Sequence, residues 1–403
     1  MPAGPQPPAP DGGARTASPP VGLGRVAREW GRIGCIGFGG PPAHIALLRE
    51  LCVERERWMD VKAFQDGVAA TQLLPGPAST QMAILCAHRA GGGRRAAVVG
   101  GLAFILPGLV AILALAALFL GDPPDWLRGA GGGAGAAVAA VALQQGLGLA
   151  RTGWRAEPRP RYRVRFVVYA ILGALSAATL GPWLVAVLVG CGLAELAGRH
   201  LVRPGGGLAS VAVGPAALLA AAAATGGLGA LAWTAFKVGA LSYGGGFVII
   251  PLMQEDAVTT HGWMTGGEFL NAVALGQVTP GPVVHTVAVV GYAAAGVGGG
   301  LLAAAIAFAP SFAFVLLGAE RFDRLLHDAR ARAFVDGAGP AALGAIAGSA
   351  VPLARASTEA WQLVVLAGAA VALLIAGRGV VAVLLAAGAA GAVVVLAGGP
   401  VPG

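Results

Sequence analysis

The chain alternates long apolar runs with short polar connections. In the first half the runs cover approximately 24–48, 64–88, 96–120, 129–150, 164–180 and 183–198. In the second they cover about 229–253, 269–294, 299–318, 336–354, 361–376 and 379–397, and one further run lies between the halves at 208–224. Runs of about twenty residues have the length of a membrane-crossing helix. The ten-residue alternating segments of a transmembrane barrel are absent. The pattern therefore predicts an all-α polytopic integral membrane protein with about 12–13 membrane segments. Sliding the sequence against itself at an offset of 205 explains why the runs come in two sets. Gly34-Cys35-Ile36-Gly37-Phe38-Gly39-Gly40 falls on Gly239-Ala240-Leu241-Ser242-Tyr243-Gly244-Gly245, and the register continues through Glu50 on Glu255, Trp58-Met59 on Trp263-Met264, Gln72 on Gln277, and Pro75-Gly76-Pro77 on Pro280-Gly281-Pro282. Chance similarity of two apolar stretches would match Ala and Leu, whereas these matches include Gly, Pro, Trp and Gln. The expected division is a disordered Pro- and Gly-rich tail (1–23), a first repeat (24–200), a linking segment that itself crosses the membrane (201–228) and a second repeat (229–403). An odd number of crossings before the second repeat inverts it relative to the first.

Composition strengthens this reading. Charged residues make up 11% of the chain against roughly 25% in soluble proteins, and hydrophobic residues 56%, which excludes soluble and disordered classes. The formal net charge is +8, yet the basic residues are scattered through connections, without the blocks of a nucleic-acid-binding face. Topology accounts for them better. With the N-terminus inside, the Arg-rich connections at 89–95, 151–165, 199–203 and 320–332 are all cytoplasmic, as the positive-inside rule prefers. The connection 49–62 conflicts with this, because Arg49, Arg55, Arg57 and Lys62 would lie outside. Either the first segment is re-entrant or 49–62 is an amphipathic interfacial helix. The four cysteines show no CxxC spacing and are expected as free thiols, and residues 1–20 lack the apolar region of a signal peptide.

Two breaks recur in each half. The first is Phe38-Gly39-Gly40-Pro41, matched by Tyr243-Gly244-Gly245-Gly246. Proline is tolerated in the first turn of a helix, so Gly39-Gly40-Pro41 reads as the end of one half-helix and the start of another. Such a start leaves backbone N–H groups at a positive dipole end, an anion site of the kind transporters use; the alternative is a plain kink or close helix packing. The second break is Pro75-Gly76-Pro77, matched by Pro280-Gly281-Pro282. Gln72 and Gln277 precede these breaks, and Ser79-Thr80 and His285-Thr286 follow them. Neutral amides and hydroxyls can donate to an oxyanion, or can satisfy carbonyls that the prolines release.

Charges inside the apolar runs are few. Arg32 and Lys237 align at one repeat position, two turns before Gly39 and Gly244. Glu29 is near enough in sequence to pair with Arg32, whereas Lys237 has no acid within four residues. Lys237 therefore either snorkels to the interface or faces a cavity that holds an anion. Asp66, matched by Asn271, is expected to cap a helix. The chain has no HExxH, GxSxG or Walker A motif, and its six histidines never approach i, i+4 spacing, so neither an enzyme, a metal site nor a cofactor is expected. Gly-rich faces such as Gly129–Gly135 suit packing within the chain or between the protomers of a homodimer.

The run Gly37-Phe38-Gly39-Gly40-Pro41 with Ala43-His44-Ile45, then Glu54-Arg55 to Trp58 and Gln72-Leu73-Leu74-Pro75-Gly76-Pro77-Ala78-Ser79, resembles the N-terminal repeat of the chromate ion transporter family. Gly244-Gly245-Gly246-Phe247 to Leu252 and Gly276-Gln277-Val278-Thr279-Pro280-Gly281-Pro282-Val283 are similar to that family's C-terminal repeat. The resemblance implies a long-chain, two-repeat member with halves in opposite orientation, placed in the cell membrane, whose activity is chromate efflux and whose phenotype is chromate resistance. Sulfate, also a tetrahedral dianion, is the alternative cargo, and a channel, a non-transporting scaffold or an intramembrane enzyme are readings from other classes. One departure is Gly37 where Ser is expected before Phe-Gly-Gly, although Ser242 stands in the second repeat. The candidate substrate site comprises Arg32, Gly39, Gly40, Pro41, Gln72, Pro75, Gly76, Pro77 and Ser79 from the first repeat. From the second it takes Lys237, Ser242, Gly244, Gly245, Gln277, Pro280, Gly281, Pro282, His285 and Thr286.

Overall fold

The computed structural model describes residues 20–74, 76–156, 160–179, 183–199, 226–242, 247–318 and 328–402. The described elements are helical and follow one order twice. The first set is α1 (Leu23–Ile36), α2 (Pro41–Arg49) continuing into a π-helical turn (Glu50–Arg55), α3 (Val61–Leu73), α4 (Ala78–Ala90), α5 (Arg94–Phe119), α6 (Asp125–Ala156), α7 (Pro160–Thr179) and α8 (Leu184–Gly198). The second begins with α9 (Gly227–Leu241), a 3-10 turn (Phe247–Ile249), α10 (Ile250–Gln254) and a π-helical turn (Glu255–Thr260). It continues with α11 (Gly266–Val278), a 3-10 turn (Val283–His285), α12 (Thr286–Gly318), α13 (Ala329–Gly348), α14 (Ala350–Arg355), α15 (Ala360–Ala370) and α16 (Val380–Leu396).

The register of the sequence repeat survives in the backbone. Both π-helical turns, the N-caps Asp60 and Thr265, and the left-handed residues Arg57 (φ 53) and Gly262 (φ 60) stand at the same offset. Gly76 (φ 113) and Gly281 (φ 95) complete the match, with the conformation that Pro-Gly-Pro breaks require of their glycine. The helix cap expected at Asp66 is instead Asp60, whose carboxylate accepts from the Ala63 N–H at 2.6 Å; Asp66 lies in the interior of α3. The polar residue directly before the helical run is the cap, and Asp60 holds that place.

The first two apolar segments of the first repeat are hairpins, not spans. The end of the π-helical turn returns to the first turns of α1. There Arg25 pairs with Glu56 at 2.6 Å, Arg55 with Glu29 at 2.5 Å, and Trp30 stacks on Trp58 with ring centroids 6.0 Å apart. α3 and α4 behave likewise. The Val21 N–H donates to the Ala90 carbonyl and the Arg89 guanidinium to the Ala63 carbonyl, which puts the start of α3, the end of α4 and the start of α1 on one face. In the second repeat Asp256 meets Thr234 and Lys237, so 247–260 folds back along α9. α12 is two helices joined by a reversal at Ala295 and Gly296, where Gly291 meets the Gly299 carbonyl. Re-entrant packing therefore corrects the segment count, because two of the six apolar segments in each repeat do not cross. It also removes the conflict at 49–62, which lies on the same face as the N-terminal end of α1.

Among the described residues four helical stretches are long and apolar enough to cross a membrane: Arg94–Phe119, Asp125–Arg155, Ala329–Arg355 and Val283–Gly318, the last only through its arm after the reversal at Gly296. The 32 residues of α6 extend about 48 Å, so its two ends lie on opposite faces. α11 begins beside Phe119 and Arg128, on the face away from the start of α3. Counterpart helices thus run in opposite directions, and the repeats are inverted. The run at 208–224 lies outside the described residues. Glycine sets the packing between helices. Gly34 faces the Phe104 carbonyl and Gly239 that of Ala307, so each repeat's first half-helix lies backbone to backbone on its own long helix. The later helices are exchanged: Gly129 and Gly133 of α6 pack on Gly391 and Ala387 of α16, while Gly344 of α13 packs on Ala170 of α7. The Gly129–Gly135 face is therefore filled from within the chain.

Candidate functional site

A cavity of about 820 Å³ lies where the breaks of the two repeats meet. Its wall includes Gly39, Gly40, Pro41 and Pro42 at the start of α2, Gly76 and Ala78 at the start of α4, Phe247 before α10, and Val283 before α12. Four half-helix starts, two from each repeat, therefore open on one space. Each presents the positive end of a helix dipole to it, roughly half a positive charge for a full helix. They are not equivalent. Pro41 and Pro42 remove two donors from α2, leaving mainly the dipole there. At α4 the first back-bonds to the Pro77 carbonyl come from Thr80 and Gln81 at 3.0 and 3.1 Å, so the N–H groups of Ala78 and Ser79 have no partner within the helix.

Gln72 and Gln277 end α3 and α11, and both line the cavity. Gln277 is 8% exposed and its Nε2 has no hydrogen-bond partner among the described residues. A buried amide donor without an acceptor is costly unless something supplies one, and a bound oxyanion would.

Beneath the cavity the repeats cross. The Gly281 N–H donates to the Gly37 carbonyl at 2.9 Å, and His44 Nε2 meets the same carbonyl at 2.9 Å. A Cβ on Gly37 would stand 2.7 Å from His44 Cδ2 and 2.7 Å from the Ile33 carbonyl. The missing serine thus has a physical reason: the imidazole occupies the space that its side chain would need. In the second repeat the position matching His44 is Ile249, and Ser242 is buried with its hydroxyl unpartnered among the described residues.

Of the candidate residues, Gly39, Gly40, Pro41, Gln72, Gly76 and Gln277 share the cavity wall. Pro77, Ser79, Ser242, Pro280, Gly281, Pro282, His285 and Thr286 are outside it. His285 is fully buried against Gly108 and Phe308, and the Thr286 hydroxyl donates to the Val283 carbonyl at 2.8 Å, the carbonyl-satisfying role. Pro75, Gly244 and Gly245 fall outside the described residues. The two charges are corrected. Lys237 Nζ lies 2.5 Å from Asp256, which also accepts from Thr234 at 2.8 Å, so the anion it faces belongs to the chain. A search four residues either way cannot find a partner brought back by a hairpin. Arg32 is exposed and away from the cavity, and Glu29 pairs with Arg55 instead.

The cation in the cavity wall is Arg165, near the start of α7. It donates to both carboxylate oxygens of Glu195, at 3.1 and 3.2 Å. Glu195 is 1% exposed and also accepts from Arg199 at 2.8 Å and Tyr169 at 3.2 Å; Arg199 in turn reaches Asp336 of α13 at 2.8 Å. The signal for this cluster was an acid inside the apolar run 183–198, since ionisable groups within membrane segments mark functional positions.

The family model for chromate transporters matches residues 24–196 and 229–392. The chain belongs to the chromate transporter family. Chromate transport protein of Pseudomonas aeruginosa is 30% identical over 380 residues, covering 87% of this chain and 85% of the relative. That of Cupriavidus metallidurans is 30% identical over 398 residues, covering 92% of each. A probable chromate transport protein of Synechococcus elongatus is 29% identical over 350 residues, 84% of this chain and 86% of the relative. No solved structure matches. Family membership makes the chain a multi-pass membrane transporter, and both matched regions contain the breaks whose ends form the cavity.

Proposed function

We propose that the protein is a secondary transporter of the cell membrane that exports chromate from the cytoplasm by alternating access between its inverted repeats, 24–200 and 229–403, and so confers chromate resistance. The convergence of four half-helix N-termini on one cavity carries this reading, because it offers positive potential and backbone donors to a tetrahedral dianion. Orientation follows from charge. The face of the N-terminal end of α1 carries Arg25, Arg49, Arg55, Arg57, Lys62, Arg94 and Arg95, whereas Arg128 and Arg355 lie on the other. The positive-inside rule makes the first face cytoplasmic. The charged residues of the cavity wall (Arg165, Glu195, Asp336) come from the helix ends on that face, the loading side of an exporter.

Direction follows from the membrane potential. At about 2.3 kcal/mol per charge per 100 mV, a dianion gains roughly 4.6 kcal/mol on leaving an inside-negative cell. Chromate uptake into inverted vesicles, measured with and without an imposed potential, tests the proposal. Saturable uptake that rises with an interior-positive potential is expected; absence of flux from vesicles containing the folded protein overturns it. Excess sulfate is the competitor, and complete suppression at equal concentration would make sulfate the better cargo.

A further inference from the structure

We propose that Arg165 is the cation that captures the anion, and that Glu195 is the counter-ion that holds it between transport cycles. The inference rests on the transport reading above and names a contact within the same cavity. Three observations lead to it. The Arg165 side chain is 46% exposed and lies in the cavity wall, whereas Glu195 is 1% exposed. Glu195 is held by two guanidinium groups and a phenol, so it keeps Arg199 and Tyr169 when Arg165 turns away. Among the described residues Arg165 pairs with no carboxylate besides Glu195, and it lies over the Tyr162 ring at 5.9 Å.

These facts make the two arginines unequal. A buried carboxylate stripped of every cation is expensive, and removing Arg199 would break contacts to both Glu195 and Asp336. Withdrawing Arg165 leaves Glu195 still charge-paired and hydrogen-bonded. Its Nη1 alone meets both Glu195 oxygens, whereas the planar guanidinium can offer two donors at once to two oxygens of a tetrahedral oxyanion. A dianion that Glu195 does not have to share is the stronger partner, and Glu195 remains nearby to reclaim the guanidinium on release. Exchange between two anionic partners keeps binding firm enough to load and weak enough to leave.

Among the described residues the groups around the pair are uncharged or already engaged: Gln145 and Thr152 on α6, Tyr162 and Tyr169 on α7, and Asp336 on Arg199. The test is the chromate KM in inverted vesicles for R165Q, R165K and E195Q, with the amount of folded protein measured by size exclusion. R165Q is expected to raise KM at least tenfold with Vmax within about twofold, and R165K to recover part of the loss. E195Q keeps an acceptor for Arg199 but removes the competing charge, and is expected to lower KM at least threefold. An unchanged KM in R165Q overturns the assignment, and the absence of a fall in E195Q overturns the counter-ion role. Where R165Q does not accumulate, R165K is read by the same rule, with a threefold rise in support and a wild-type KM against. A wild type without flux would sink the transport reading instead. Thermal protection of the detergent-purified protein by sulfate then tests Arg165 by itself, and equal protection of wild type and R165K overturns the contact.

Discussion

Replacing Lys237 by methionine separates a structural role from a ligand role. Its ammonium group is 2.5 Å from Asp256, with side chains 21% and 14% exposed, and loss of the cation leaves Asp256 only the Thr234 hydroxyl at 2.8 Å. Breaking one side of a buried pair costs about 3–5 kcal/mol, and partial exposure puts this site near the lower value, about 3 kcal/mol. That is on the order of a hundredfold in the folded-to-unfolded ratio. Removing both charges should cost far less, because a well-packed apolar pair replaces a buried ion pair at little net loss. Thr234 can then turn to a carbonyl of its own helix. The expected series is therefore a marked fall in melting temperature for K237M and near-recovery for K237M/D256L, with chromate flux per folded molecule close to wild type in the double variant. Melting is followed by size exclusion of the detergent-solubilised protein, and flux in inverted vesicles. A double variant that is as stable as wild type but transports nothing would refute the structural assignment and return Lys237 to the substrate.

Other expectations are narrower. G37S should destabilise by about 1–3 kcal/mol through overpacking against His44, and H44A added to it should recover at least 1 kcal/mol in a double-mutant cycle read by melting. Q277L removes an amide donor that has no partner among the described residues, so it should leave the melting temperature unchanged or raised while increasing the chromate KM several-fold; parallel losses of both would contradict its place in the cavity. R57C and G262C occupy matching turns of inverted repeats and should react with a membrane-impermeant maleimide from opposite faces in a background without the native cysteines. Labelling of both from one face would refute the inversion.

Much of the architecture was legible because the duplicated residues are those that shape backbone. Gly76 and Gly281, or Pro41, report a local conformation wherever the chain goes next. The number of crossings was not legible, because a half-helix that turns back and one that continues share the same hydropathy. What separates them is the pairing of Arg25 with Glu56 and of Arg55 with Glu29, contacts between residues distant in sequence. The partner of Lys237 was illegible for the same reason. Lys237 stood out as unpaired in its own segment, and its partner Asp256 arrived by the very hairpin that the glycine break creates. Arg165 was illegible for the opposite reason. It sits among the arginines of a connection, where topology was explanation enough, and only Glu195 inside an apolar run set it apart.

The pairing of both internal cations bears on how a chain with so few charges can carry a dianion. A fixed lysine or arginine in a low-dielectric interior needs a counter-ion, and Lys237, outside the cavity wall, and Arg165, within it, each have one. Helix dipoles need none, since their charge is compensated at the far end of the same helix. Four starts of about half a charge each amount to about two positive charges, the complement of a chromate dianion, present without a buried ion in the empty state. Two of these starts belong to each repeat. A displacement of one repeat against the other would leave the ion facing two starts instead of four, halving the charge that holds it. Release on the far side would then come from the same rigid-body motion that opens the path, with Arg165 returning to Glu195 as the ion departs.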